Sequence, residues 1–248
     1  MKNEKSSANK TISDEEYLAC ERQWVFLILM LVAGFYGAYT FSIRGGVFCN
    51  AQTANFVMMA MSLGKGEWLH ALYYFIPMSA YLLGTMVSEG ISGKIKRTGF
   101  IRWDTLLILI EIIAVVILGF IPESAPYQIS QVTINFICSM QYNTFRQANG
   151  IPMATTFCTN HLRQVGVAIV KLIKKDGDMG FQKTKLINHS LMIGVFVLGG
   201  IFSSFLCMFF LGKAIWGALI PLGFVFFKLL YADLKKEHDY IDRTPHGH

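Results

Sequence analysis

Gly45-Gly-Val-Phe-Cys-Asn50-Ala-Gln-Thr-Ala-Asn55-Phe-Val57 follows an apolar run, yet it sets Asn50, Gln52, Thr53 and Asn55 where apolar residues would be cheaper. Upstream, residues 24–41 are apolar over roughly the length needed to cross ~30 Å of hydrocarbon. Downstream, Lys65-Gly-Glu-Trp68 marks an aqueous edge before the next apolar run, 69–88. A polar break between membrane-length runs decides the fold class: an all-α, polytopic membrane helical bundle.

Composition agrees. The 248 residues are 53% hydrophobic and only 15% charged, with a mean hydropathy of +0.44; a soluble domain usually carries about 25% charge. The net charge of +6 does not indicate nucleic acid, because the basic residues sit in short loops beside apolar runs, where they set orientation. The lipid bilayer is the expected partner. Cys20, Cys49, Cys138, Cys158 and Cys207 show no CxxC spacing and read as free thiols. No cleavable signal pattern precedes Trp24, so the first run reads as a retained span.

Further spans are expected at 105–121, 127–145, 188–211 and 214–231, with a second polar stretch at 152–170 after Arg146 and Pro152. Residues 1–22 read as a polar tail with a helix start at Ser13-Asp-Glu-Glu16, and 233–248 as a second tail. Trp24, Trp68, Trp103 and Trp216 fall at span ends, as an interfacial belt would place them. The loops at 94–102 and 171–185 and the tail at Lys235-Lys236 are basic, whereas 122–126 and 212–213 carry only Lys213. Six spans with both termini in the cytoplasm put every basic loop inside.

Sliding the chain so that Thr53 lies on Thr159 overlays the two polar stretches and divides the protein into three-span halves, 23–126 and 127–232. An odd number of spans per half inverts the second half, giving a 3+3 inverted repeat with two broken or re-entrant polar segments. Whether 46–63 and 152–170 re-enter or fully cross stays open at this stage.

The core Asn50-Ala-Gln-Thr-Ala-Asn55 and the stretch Thr155-Thr-Phe-Cys-Thr-Asn-His-Leu162 resemble the YoaK-like family of small bacterial membrane proteins. That family shows a Thr-Gly-Asn triplet in each half. Here the triplets are Thr53-Ala-Asn55 and Thr159-Asn-His161, so both lack the glycine and the second lacks the asparagine. The resemblance covers residues 35–235. It implies a six-span protein of a bacterial cell (inner) membrane and no settled biochemical activity.

Asn50, Gln52, Thr53, Asn55, Thr156, Thr159, Asn160 and His161 are the expected substrate-binding residues, lining a midplane path. The competing reading is that these amides and hydroxyls knit helices together. Arg44 and Arg146 stand before the two breaks, either as interfacial anchors or as positive charge beside an anion. Glu111 lies within the third span, where an ionised carboxylate costs about 2.5–3.5 kcal/mol on insertion scales. It reads as a proton-coupling group or as a partner for Arg102. His70 and His189 read as markers of span edges.

The chain lacks a P-loop, a Rossmann glycine fingerprint, HExxH and GxSxG, and no cofactor or metal is expected. A transporter or channel for a small polar or anionic solute, not an enzyme, is the leading expectation. An intramembrane enzyme on a lipid or quinone, using Glu111 with His161, and a non-catalytic scaffold or regulatory subunit are its rivals. Homo-oligomerisation is left open.

Overall fold

A backbone buried in apolar surroundings must satisfy its own N–H and C=O groups, and a helix does this within one segment. The computed structural model of the chain is accordingly all-α apart from two short hairpins. It describes residues 17–92, 97–98 and 101–246; the expected helix start at Ser13, and Lys94 and Lys96 of the basic loop, lie outside them. The helices are α1 (Gln23–Ile43), α2 (Gln52–Gly64), α3 (Trp68–Ser92), α4 (Trp103–Phe120), α5 (Tyr127–Thr144), α6 (Thr159–Lys174), α7 (Met179–Phe210) and α8 (Leu219–Tyr231). Strand β1 (Arg97–Thr98) pairs with β2 (Ile101–Arg102), and β3 (Gln147–Ala148) with β4 (Ile151–Pro152), both antiparallel.

Four stretches are long and apolar enough to cross a membrane: Gln23–Ile43, Trp68–Ile91, Trp103–Phe120 and Met179–Lys236. The last contains both α7 and α8. Between them the backbone breaks at Leu211 (φ +47°) and winds as a 3-10 segment, Leu211–Ala218, where a two-residue turn was expected. Helix α5 has the length but not the apolarity, because Gln131, Asn135 and Gln141 are buried along it. At ~1.5 Å per residue, α2 and α6 rise only about 20 and 24 Å. Both are too short to cross ~30 Å of hydrocarbon.

Side-chain contacts fix the chain directions. At one end, Arg44 after α1, Glu123 between α4 and α5, and Gly212 after α7 come together: Arg44 Nη1 lies 3.3 Å from Glu123 Oε2, whose partner oxygen accepts from Gly212 N at 2.6 Å. At the other end, Trp103 at the start of α4 donates to Thr144 at the end of α5, at 3.1 Å. There too Arg102 N and the Thr105 hydroxyl donate to Asp233 Oδ2. Hence α1, α4 and α7 run one way, and α3, α5 and α8 the other.

Two parallel pairs form the bundle's closest contacts. A Cβ on Gly34 of α1 would fall 2.0 Å from the Phe196 carbonyl oxygen of α7, and one on Gly199 would fall 1.9 Å from that of Leu31. In the other pair, a Cβ on Gly84 of α3 would fall 2.4 Å from the Phe136 carbonyl oxygen of α5. Small residues at these points let backbones touch, which is how helices associate where water supplies no hydrophobic drive. Around them the main core gathers Phe26, Leu29, Met30, Leu107, Ile134 and Leu222, all fully buried.

The tails depart from expectation. Leu18, Cys20 and Glu21 are buried, as are Asp233 and Ile241. Glu21 accepts from Leu18 N and, through its other oxygen, from His246 N at 2.6 Å; Glu237 accepts from Ala19 N at 2.7 Å. The two ends of the chain are strapped together over buried Arg102, which pairs with Asp233 and Glu237. Polar composition suggested solvated tails because the partners sit more than 200 positions apart. Trp103 is likewise buried rather than part of a lipid-facing belt.

Candidate solute site

Helix α5 carries the polar interior. Its Gln131 Nε2 donates to the Arg44 carbonyl and to the Tyr73 hydroxyl, both at 2.6 Å. Asn135 Oδ1 accepts from Gln52 Nε2 at 2.8 Å, and Gln141 Nε2 donates to the Thr155 carbonyl at 3.2 Å. The upper half of α5 therefore holds the first polar stretch and its lower half the second. The sequence shows these amides as flecks in an apolar run; their helical spacing on one short segment was the available signal.

The first stretch is tied inward. Gly45 and Gly46 both adopt the left-handed region (φ +80° and +73°), and a Cβ on Gly45 would lie 1.9 Å from the Tyr73 hydroxyl; glycine is required there for both reasons. Asn50 Nδ2 donates to the Ala33 carbonyl at 2.9 Å. Asn55, fully buried, accepts from Phe48 N at 3.1 Å and donates to Phe48 O at 2.6 Å. Gln52 joins Cys49 O and Asn135. Thr53 stands apart, exposed on the far side of α2.

The second stretch repeats this clamp with different chemistry. After the tight Asn149-Gly150 turn, both residues at positive φ, β4 leads to Met153–Cys158 and then α6. His161 is fully buried, and its Nε2 lies 2.8 Å from the Ala154 carbonyl, seven residues back. Asn55 grips Phe48 at the same interval. The carbonyl forces His161 Nε2 to donate, so the neutral ring's Nδ1 accepts from His189 Nδ1–H across 2.7 Å. His189 Nε2 then holds a buried lone pair with no partner. His189 is thus part of the interior rather than a marker of a span edge. Thr155 Oγ1 also lacks a partner, and Thr156 Oγ1 faces the Tyr81 side chain without a hydrogen bond of ordinary geometry. Thr159 is exposed, in the manner of Thr53.

Beside this stretch lies a cavity of about 520 Å³, lined by Tyr142, Asn143 and Arg146 from the end of α5 and by Met153, Phe157 and Asn160. That volume falls within the range of small-molecule pockets, ~300–1,000 Å³. Tyr142 and Phe157 make an aromatic wall, ring centroids 5.0 Å apart. Arg146 Nε donates to Asn143 O at 2.7 Å, and Nη2 to Glu89 at 2.5 Å and Asn143 Oδ1 at 3.0 Å. The guanidinium is therefore held in place with its Nη1 edge unengaged among the described residues. Backbone N–H groups at the start of α6, where Asn160 sits, add a positive dipole end to the same opening.

Of the expected residues, only Arg146 and Asn160 reach this cavity. Asn50, Gln52 and Asn55 are bonded within the first stretch, and Arg44 is covered by Glu123 and by the Tyr39 hydroxyl, 3.0 Å from its Nε. Glu111 is fully buried in α4, and neither carboxyl oxygen has a hydrogen-bond partner. It lies within electrostatic reach of Tyr36 and Cys138, not in a pair with Arg102. No hydrogen bond joins it to His161. Among the described residues no group of three His, Cys, Asp or Glu side chains is placed to hold a metal.

The family described as protein of unknown function (DUF1275) matches residues 25–227. The chain belongs to that family. Its breadth of match is consistent with the YoaK-like resemblance, at the level of a family without assigned function. No curated protein and no solved structure matches the chain. Both strapped ends fall outside the family's span, whereas the two polar stretches, α5 and the cavity fall within it.

Proposed function

We propose that this DUF1275 protein is a multi-pass membrane transporter or channel for a small polar or anionic solute, and that the Arg146 cavity is where the solute enters. The single observation that carries the reading is the convergence of Arg146, Asn143 and Asn160 on one cavity beside an interrupted segment. Irregular backbone inside a membrane protein is tolerated where protein or a water-lined cavity satisfies it.

In this reading α1, α3, α4, α5, α7 and the continuous helical stretch 211–236 that contains α8 are six crossings in two inverted halves, with α2 and α6 as short helices at opposite membrane faces. Three things support it. Helices α1 and α5 run in opposite senses, as do α3 with α7 and α4 with α8. The α1–α7 and α3–α5 pairs are both parallel and both close on glycine. The Asn55–Phe48 and His161–Ala154 clamps span the same interval. With both termini in the cytoplasm, the cavity opens on the cytoplasmic side of a cell membrane. A conduit rather than an enzyme is favoured because both His161 nitrogens are engaged and Glu111 has no acid–base partner within hydrogen-bond reach.

Proteoliposome efflux of radiolabelled small carboxylates and neutral polyols tests this. Arg146→Gln and Asn160→Ala are each expected to slow efflux of at least one of them roughly tenfold, on the order of one lost charge-assisted hydrogen bond. Efflux from liposomes carrying the wild-type chain no faster than from empty liposomes, across both solute classes, sinks the reading.

A further inference from the structure

The second short helix carries a surface that the solute reading does not use. On α6, Leu162, Gly166, Ile169, Val170 and Ile173 follow helical spacing along one side. Leu162 and Ile173 are 66% and 76% exposed. Arg163, Lys171 and Lys174 run along the flank of this stripe, and Lys175 closes the helix. The helix packs against the first turns of α7, which bring Lys185 beside it. Lys171 and Arg163 are the charges that act on Lys185, so three cations from two helices share one patch. None of these three has an acidic partner among the described residues. Across 163–185 six basic residues face two acids, Asp176 and Asp178. Asp178 is occupied in capping α7, accepting from Gly180 N at 2.8 Å and Phe181 N at 3.2 Å.

We propose that α6 and the start of α7 form a hairpin that docks on the membrane surface and selects anionic phospholipid headgroups. The apolar stripe enters the acyl boundary, and Arg163, Lys171 and Lys185 hold the headgroup phosphate. An exposed apolar stripe beside a basic one fits an interface where apolar and anionic layers meet. A nucleic acid would leave the stripe in water, and a neutral lipid would leave the cation patch unmatched. The first half has no such surface. Helix α2 exposes Phe56, Val57 and Met61 and carries no charged residue, so it offers apolar contact alone. The inference depends on the chain being in a membrane and not on which solute it carries.

The test uses the full chain reconstituted into 7:3 phosphatidylcholine:phosphatidylglycerol bilayers and then extracted in mild detergent, with the retained lipid measured by mass spectrometry. Phosphatidylglycerol is expected to be enriched several-fold over the bulk ratio. The combined variant R163Q/K171Q/K185Q is expected to return it to that ratio, since each cation near the surface contributes an order-of-kT preference that adds up across three. Lys213→Gln, at the opposite end of the bundle, keeps the enrichment. An unchanged melting temperature shows that the triple variant is folded. A fluorophore on Ile173→Cys, in a Cys158→Ser background, is expected to be quenched by brominated lipid. Equal enrichment in wild type and triple variant overturns the proposal. So does a label that stays in water, or one shielded only by a second copy of the chain.

Discussion

The segments 45–64 and 147–174 hold matching places in the chain and use their polar residues in opposite ways. In the first, Asn50, Gln52 and Asn55 all bond to protein, and the outward face of α2 is apolar and uncharged. In the second, one histidine replaces the clamping amide, Asn160 and the neighbouring Arg146 line a cavity, and the outward face of α6 is flanked with cations. A shared architectural need, holding the loop before a short helix, is met in both. Only the second has polar groups to spare for something else. In the proposed reading the first segment is therefore the scaffold of the pair, and the second borders the entry of the solute.

The largest expected effect breaks the scaffold. Asn55→Leu removes both bonds to the Phe48 backbone and the link to Gln52, leaving a part-buried N–H and C=O without partners. Each such group costs about 1–3 kcal/mol, so the melting temperature in detergent should fall by many degrees. Asn55→His, which transplants the second half's clamp, should recover part of that loss through the Phe48 carbonyl. If His rescues nothing, the two clamps are not equivalent and the comparison fails.

A smaller effect sharpens the other side. His161→Asn keeps an amide donor for the Ala154 carbonyl and forfeits the bond to His189, which then has both ring nitrogens unpartnered in the interior. The expected loss is about 1–2 kcal/mol, read as a modest drop in melting temperature, and less than for His161→Leu. A drop as large as that of His161→Leu would mean that the histidine pair, and not the carbonyl clamp, holds the second segment.

Much of this was legible and some was not, for physical reasons. Apolar runs announce α1, α3, α4 and α7 because a membrane-length helix needs little else. Helix α5 was legible by length, but its amides could not be assigned to either stretch without knowing which carbonyls they meet. The clamp was half visible: the overlay of Asn55 on His161 is in the sequence, whereas the carbonyl seven residues back is not. His189 was read as an edge marker because it sits at the start of the apolar run 188–211; its partner lies 28 positions away across a helical hairpin. The burial of Glu21 and Arg102 was hidden for the same reason at longer range. Charges in a tail read as solvated until the fold brings their counter-charges to them.

The smallest expected effect concerns the one position at which the two triplets carry the same residue. Thr53 and Thr159 overlay by sequence and were expected to line a path, yet both side chains point outward from their helices. Neither hydroxyl is buried, so its loss leaves no unsatisfied group, and the added methyl of valine meets open space or lipid. Thr53→Val and Thr159→Val should each change melting temperature by no more than a degree or two, in line with a change of about 0.5 kcal/mol at an uninvolved surface position. Efflux through the Thr159→Val protein should match wild type as well, since the cavity is built from Asn160 and the α5 end, not from that threonine. A strong efflux defect in Thr159→Val with none in Thr53→Val would still place the path at the second segment, but on the outer face of α6. Equal and strong defects in both would restore a symmetric midplane path and dissolve the division between scaffold and site.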